Sequence, residues 1–406
     1  MRKVPGSNSQ FRDNVKKLKK LVVQNPRYTA IASALVVAVV GGILIVQSHA
    51  ASASLAKEAE DGTLAGNAAK VSDPAASGSY KVTFQAGSTG GGGGGGVSTS
   101  PYAAPGISKG VIEDASKTSA ADVNDMKTLG VKWTRGWLDC GDGQGQANII
   151  KSMRDAGYTY LPTYNCGINE SVDSYKAKLK ADMQVLMPLG IHVWEIGNEM
   201  NGGWNEQDNY CNNNSTPGNM QCAEREYTKF LKAAYETVHA NDPQGVVVYG
   251  GLTNWDVNFP PWMESMLSNP DKPWQYMDGF GFHPYGSTVN SSMGSMDQLA
   301  NYMSKVPEFA TKPIWITEYG CWTSGLGSGQ QSPCQPQNED GKAAYMKGML
   351  DALKVWKKGT SFEIRTPICW YILHEPDLGV MGYGLKQGNG SGNYSAAFDM
   401  YKNYTF

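Results

Sequence analysis

From residue 106 onward the chain carries two kinds of hydrophobic patterning in turn. Short runs of continuous apolar character fall at 106–112, 131–138, 158–164, 191–196, 246–252, 279–283, 313–317 and 367–373. Between them apolar residues return every three or four positions. Tyr175, Leu179, Met183 and Leu186 share one helical face, and Tyr227, Phe230, Leu231, Ala234, Tyr235 and Val238 share another. A strand with one face in water reads as an alternation, so a run without alternation predicts a strand covered on both faces. Amphipathic helices between such strands predict a parallel sheet with the helices packed outside it. Eight such runs within 101–406 predict a closed (β/α)8 barrel. The competing open, doubly wound sheet is disfavoured, because no Gly-x-Gly-x-x-Gly turn follows the first run.

The first hundred residues are patterned differently. Residues 1–27 carry Arg2, Lys3, Arg12, Lys16, Lys17, Lys19, Lys20 and Arg27 against one acid, Asp13, and Thr29 to Val46 then runs without a charge. This predicts a membrane-spanning helix over 28–47, with residues 1–27 as a basic cytoplasmic segment and the remainder outside the cell membrane. A cleaved signal peptide is the other reading: Ser48-His49-Ala50 and Ala51-Ser52-Ala53 offer small-residue cleavage sites, although the apolar core of such peptides is usually shorter, about 7–15 residues. Both readings place the rest of the chain outside the cytoplasm. Residues 48–100 read as a linker, with a short alternating, turn-rich stretch at 58–85 and a nearly pure glycine tract at 87–96 that should behave as flexible coil.

Composition adds little beyond this. A chain of 406 residues with 41% hydrophobic content can bury a large core, and a net charge of -2 with no basic stripe excludes nucleic acid as an expected partner. Seven cysteines suit an oxidising compartment. Cys211 and Cys222 bracket one polar loop, Cys321 and Cys334 bracket another, and Cys140 and Cys166, each just past a predicted strand, make a third possible bridge. Cys369, inside an apolar run, is then a buried free thiol. Cys-x-x-Cys metal spacing is absent, no EF-hand ligand run appears, and no cofactor is implied.

The chemistry sits at the ends of the apolar runs. In a barrel of this kind, residues just past the strand C-termini converge on one face. The fourth run delivers Asn198-Glu199, the seventh Glu318-Tyr319-Gly320, the sixth His283-Pro284-Tyr285, the second Arg135 and Trp137, and the eighth Trp370. A desolvated carboxylate costs on the order of several kcal/mol unless paired or used, so two glutamates at the ends of apolar strands point to acid-base work. Glu195 shares the face of Glu199 and reads as a deeper, structural carboxylate paired with Arg135 or Lys132. Glu113, Asp114, Asp139, Glu375 and Asp377 are rival acids in turn-like settings.

Asn-Glu after strand four, His-x-Tyr after strand six and Thr-Glu-Tyr-Gly after strand seven together resemble the retaining glycoside hydrolases of clan A, with the family 5 and family 39-like barrels closest. The resemblance spans Tyr102 to Phe406. It implies an enzyme that cleaves β-linked glycans by double displacement, with Glu199 as acid/base and Glu318 as nucleophile; the N-terminal run adds the expectation that it is extracellular and membrane-tethered. Arg135 and Tyr285 are expected to favour the ionised form of Glu318, and aromatic surroundings to keep Glu199 protonated. Asn198 resembles the residue that holds the sugar 2-hydroxyl, and Trp370 the aromatic floor. His283 is read as a substrate ligand or a support for Glu199, and Trp204, Trp255, Trp262 and Trp322 as candidate subsite platforms. Cysteine-bracketed loops after strands four and seven favour endo-action; an exo-acting xylosidase- or arabinosidase-like enzyme, and a catalytically inactive glycan-binding barrel, are the alternatives. Glu58 to Leu64 resembles the opening of β-sandwich carbohydrate-binding modules, but 58–85 is too short for one and reads as a remnant.

Overall fold

The computed structural model describes the backbone of 68–72 and 80–84, and residues 102, 106–113, 118–166, 170–202, 217–254, 258–323, 334–356, 364, 367–373, 382–387 and 393–406. The chain divides into two compact units, Met1–Gly92 and Gly93–Phe406. In the first, Ala68–Ser72 pairs antiparallel with Tyr80–Phe84. The basic segment, the expected membrane helix at 28–47 and the glycine tract at 87–96 lie outside the described residues. Among the described residues no helix is long and apolar enough to cross a membrane.

The second unit repeats strand and helix eight times. The strands are β1 (Ser108–Ile112), β2 (Trp133–Asp139), β3 (Thr159–Asn165), β4 (Val193–Asn198), β5 (Val246–Thr253), β6 (Gly279–His283), β7 (Ile314–Trp315) and β8 (Pro367–Trp370). The principal helices that follow them in turn are α1 (Ala120–Leu129), α2 (Gly143–Asp155), α3 (Val172–Leu186), α4 (Pro217–Asn241), α5 (Phe259–Ser268), α6 (Val289–Met303), α7 (Glu339–Val355) and α8 (Ala396–Asn403). Within the barrel all strand pairs are parallel, in the order β8-β1-β2-β3-β4-β5-β6-β7, and a short antiparallel pair, Lys386–Gln387 with Asn393–Tyr394, lies outside it. Between β7 and β8 the ring is completed by parallel bridges at Ile314–Ile364 and Tyr319–Trp370 and by backbone N–H groups of Tyr319, Cys369 and Tyr371 donating across the gap at 2.8–3.0 Å.

Packing follows the patterning. Every residue of β5 and β6 is buried, as a strand covered on both faces requires. Outside the sheet, α3 buries Tyr175, Leu179, Met183 and Leu186, and α4 buries Tyr227, Leu231, Ala234 and Val238. Inside the barrel, successive inward positions change character from one end to the other. Trp133, Leu161, Val193, Val246, Val248 and Trp315 form an apolar plug toward the strand N-termini. Two residues further along the same strands, Arg135, Thr163, Glu195 and Thr317 form a buried polar layer. The site rests on that layer.

Disulfides brace the strand ends. Cys140–Cys166 ties the end of β2 to the end of β3, and Cys321–Cys334 closes the loop from β7 to α7. Cys222 is disulfide-bonded, and its expected partner Cys211 lies outside the described residues. Cys369 is free and buried, as read from the sequence.

Candidate active site

The polar layer is organised by one guanidinium. Arg135, on β2, is 1% exposed. Its Nε donates to Glu195 Oε2 at 2.6 Å, Nη1 to Glu318 Oε2 at 3.1 Å, and Nη2 to Asn198 Oδ1 at 2.6 Å. A planar fork with donors on three edges fixes three acceptors from β4 and the β7 end at once. Thr163 Oγ1 also donates to Glu195 Oε2 at 2.9 Å, and the Gly251 N–H to Glu195 Oε1 at 3.1 Å. Burial alone would push the Glu195 carboxyl up, but Arg135 outweighs it and holds Glu195 below the usual carboxylate range. Of the two bases named for Glu195, Arg135 is the partner; Lys132 is exposed.

Above this layer Glu199 leaves β4 through a left-handed residue. Its φ is 48°, an uncommon conformation for a side chain other than glycine, asparagine or aspartate. Its own N–H is held by Gly251 O at 2.7 Å, and its carbonyl accepts from Gly202 N at 2.7 Å. The turn re-aims the carboxylate toward β6. There His283 Nδ1 lies 3.0 Å from Glu199 Oε1, and Nε2 lies 3.1 Å from Thr317 Oγ1. His283 needs Gly251 beside it, because a Cβ at that position would come 2.1 Å from His283 Nε2.

Glu318 faces the same space from the end of β7. Oε1 accepts from the Tyr285 hydroxyl at 2.7 Å and Oε2 from Arg135. Glu199, His283 and Glu318 each present a polar atom within 4.8 Å of the others. Such a cluster could in principle ligate a metal ion. Both Glu318 oxygens, however, already accept bonds from a phenol and a guanidinium, an arrangement that suits an anion facing a proton donor better than a metal centre.

Electrostatics separates the two carboxyl groups. Burial pushes Glu199 up to about 7, with Glu195 adding to the rise and Arg135 opposing it. Burial lowers His283 to about 4, so the ring is neutral at neutral pH and satisfies Glu199 and Thr317 in either tautomer. Glu318 is also raised, by burial first and by the charge of Glu199, against the pull of His283, Arg135 and Tyr285. Arg135 and Tyr285 each favour the ionised form of Glu318, as expected from the sequence. Both groups are in place, but desolvation outweighs them.

The structure therefore brings together Arg135, Asn198, Glu199, His283, Tyr285 and Glu318. Trp137 is half-buried, its ring 5.5 Å from the Arg135 guanidinium. Trp322 is 2% exposed and packs with Tyr383 in the apolar cluster that also contains Tyr285, so it backs that phenol rather than offering a platform. Trp370 requires a correction. It is fully buried, its ring edge-on to Tyr319 and its N–H donating to Tyr383 O at 3.1 Å, so no face is left for a ligand. The β8 side chain that senses Arg135, Glu195 and Glu318 is the neighbouring Cys369. Trp262 is likewise core, donating to the Tyr249 hydroxyl at 2.8 Å. Of the rival acids, Glu113 is buried and Asp139 exposed, while Asp114, Glu375 and Asp377, like Trp204 and Trp255, lie outside the described residues. The bracing by Thr163 and Thr317 was missed by sequence reasoning, although both sit at inward positions of predicted strands.

Comparison with known proteins bears on the barrel that carries these residues. Residues 199–357 match the family described as glycosyl hydrolase catalytic core, a stretch that opens on Glu199 and contains Glu318. The match covers under half of the chain and points to glycoside hydrolase chemistry in the barrel. Its barrel is similar to a family 39 glycoside hydrolase from Bacteroides cellulosilyticus, at 12% identity and a TM-score of 0.51 over 73% of this chain and 62% of that one. It is also similar to a Bacteroides uniformis β-glucuronidase, at 12% identity and a TM-score of 0.51 over 73% and 35%, and to a glucosidase from Croceicoccus marinus, at 13% and 0.50 over 73% and 66%. The chain thus spans less than two thirds of each of these structures. At such identity the likeness speaks for the shared (β/α)8 fold. No curated protein matches the sequence at a significant level.

Proposed function

We propose that this chain is a glycoside hydrolase that cleaves β-linked glycans with retention, Glu318 acting as nucleophile and Glu199 as acid and then base. The observation that carries the reading is the spacing of the two carboxyl groups, whose facing atoms lie within 4.8 Å. Retaining enzymes hold the pair about 5–5.5 Å apart, whereas inverting enzymes leave about 6.5–9.5 Å for a water. Glu199, pushed up to about 7, can carry the proton that a poor leaving oxygen needs. Once Glu318 is esterified its charge is gone, the repulsion on Glu199 falls, and Glu199 can take a proton from the incoming water. Asn198 gives its Oδ1 to Arg135, which turns the amide nitrogen toward a sugar hydroxyl.

The finer reading is an endo-acting enzyme on polysaccharide or oligosaccharide, tethered outside the cell membrane by 28–47. Its support is the charge-free run behind a basic segment and the cysteine-bracketed loops after β4 and β7. The test uses chromogenic β-glycosides and β-glucan, mannan and xylan polymers. Glu318→Ala is expected to lose at least about a thousandfold in kcat, or about 4 kcal/mol of transition-state stabilisation. A 2-deoxy-2-fluoro glycoside should label Glu318, and azide should restore turnover of an activated substrate in Glu199→Ala. Labelling elsewhere, or an inverted product by NMR, would refute the assignment. Release of internal oligomers rather than single sugars separates endo- from exo-action.

A further inference from the structure

Glu195 takes no direct part in the chemistry proposed above, yet it is 0% exposed beneath it and accepts three hydrogen bonds from three different strands. It binds the Nε edge of Arg135, the edge that faces away from the catalytic pair. With Nε fixed, a planar guanidinium has no freedom to rotate, and its two remaining edges are committed to Glu318 and Asn198. Removing Glu195 would therefore act at a distance of one residue on both groups.

We propose that Glu195 is a positioning residue of the reaction: it orients the Arg135 fork toward Glu318 and Asn198, and its charge neutralises the guanidinium so that the proton is retained on Glu199. The proposal rests on the assignment of Glu199 and Glu318 given above.

Several titratable and charged groups surround Glu195. These groups are Arg135 from β2, His283 from β6, Glu318 from the β7 end, Cys369 from β8 and the Tyr227 phenol from α4, with Glu199 beyond them past the end of its own strand. Burial holds His283 neutral, and burial raises Cys369 and Tyr227 so that neither is ionised at neutral pH. Arg135 and the carboxylates are thus the groups that set the local field. Arg135 pairs with Glu195 and with Glu318. Without Glu195, one negative charge is lost beneath the catalytic pair, and the guanidinium field draws the proton off Glu199 more strongly.

The test is Glu195→Gln in the full chain, which keeps the shape and the oxygen that accepts from Arg135 and Thr163 while removing the charge. Two readouts are needed. Carboxyl ¹³C NMR titration of Glu199 is expected to show its pKa lower by about one unit, the size of a charge felt across several ångströms of protein. The alkaline limb of kcat/KM should move down by the same amount, with kcat at pH 5 within about tenfold of wild type. A buried pair that served folding alone would lower the melting temperature and leave both readouts in place, which would overturn the proposal. A shifted NMR titration with an unshifted kinetic limb would support the role of Glu195 in the field and instead refute Glu199 as the acid. If Glu195→Gln does not fold, Thr163→Val removes one bond that fixes Glu195 and keeps the charge. It should lower kcat about three- to tenfold with KM unchanged, and an unchanged kcat would overturn the positioning role.

Discussion

Glu199 and Glu318 share one buried pocket, so each makes the other harder to ionise, and only one of them keeps both oxygens against a guanidinium and a phenol. The catalytic state with Glu199 protonated and Glu318 ionised is therefore bounded on the alkaline side by Glu199. The rate is expected to fall as pH rises through about 7, where Glu199 loses its proton. The same group makes a stability prediction of definite sign. Its folded pKa lies above its unfolded value, so between about 4.5 and 7 the native state holds a proton that the unfolded chain has released, and stability declines as pH rises across that window. Glu199→Gln removes the effect. The variant should melt above wild type at pH 8, and that margin should shrink at pH 4.5; an equal difference at both values would contradict a buried carboxyl at this position. Activity of Glu199→Gln on unactivated substrates should be lost throughout.

At the scale of elements, the site is made by strand ends that approach one another more closely than side chains normally allow. The contact of β5 with the β6 histidine depends on Gly251 having no Cβ, since one would sit 2.1 Å from His283 Nε2. Gly251→Ala should displace the imidazole from Glu199, reducing kcat at least about tenfold and costing about 1–3 kcal/mol of stability, measurable by kinetics and by chemical unfolding. A neutral outcome would mean that His283 is not held where it is found. Much of this scale was legible beforehand. The eight strands overlap the eight apolar runs because a strand buried on both faces must be apolar throughout. For the same reason such a run conceals its own parity. Ile368-Cys369-Trp370-Tyr371 offers no polar contrast to show which residues face inward, and Trp370 was assigned to the site that Cys369 in fact adjoins. Where a polar residue interrupts a run, parity becomes readable, and Arg135, Glu195 and Glu318 meet inside the barrel as their positions in the runs imply. The direction of the Glu318 shift was not readable, because it depends on depth of burial and not on which partners are near.

Across the whole barrel, the interior is apolar at one end and charged in the middle, and Arg135 is the cation that makes the charged layer tenable. Truncating one partner of a buried ion pair leaves the other uncompensated and typically costs about 3–5 kcal/mol. Arg135→Met should lower the midpoint of thermal unfolding by several degrees or more at pH 7, and the loss should depend on pH with a predictable sign. In the wild type, Arg135 holds Glu195 below the usual range despite burial, so this interaction stabilises the fold above about pH 4.5 and is lost as pH falls further. In Arg135→Met, burial acts on Glu195 without its counter-ion and pushes it up, so stability declines as pH rises from about 4.5. Both trends widen the gap between the two proteins with increasing pH. Melting curves of wild type and Arg135→Met at pH 4, 5.5 and 7 should therefore diverge progressively. A gap that stays constant would mean that the variant loses packing alone and that the charged layer does not support the barrel as an ion pair.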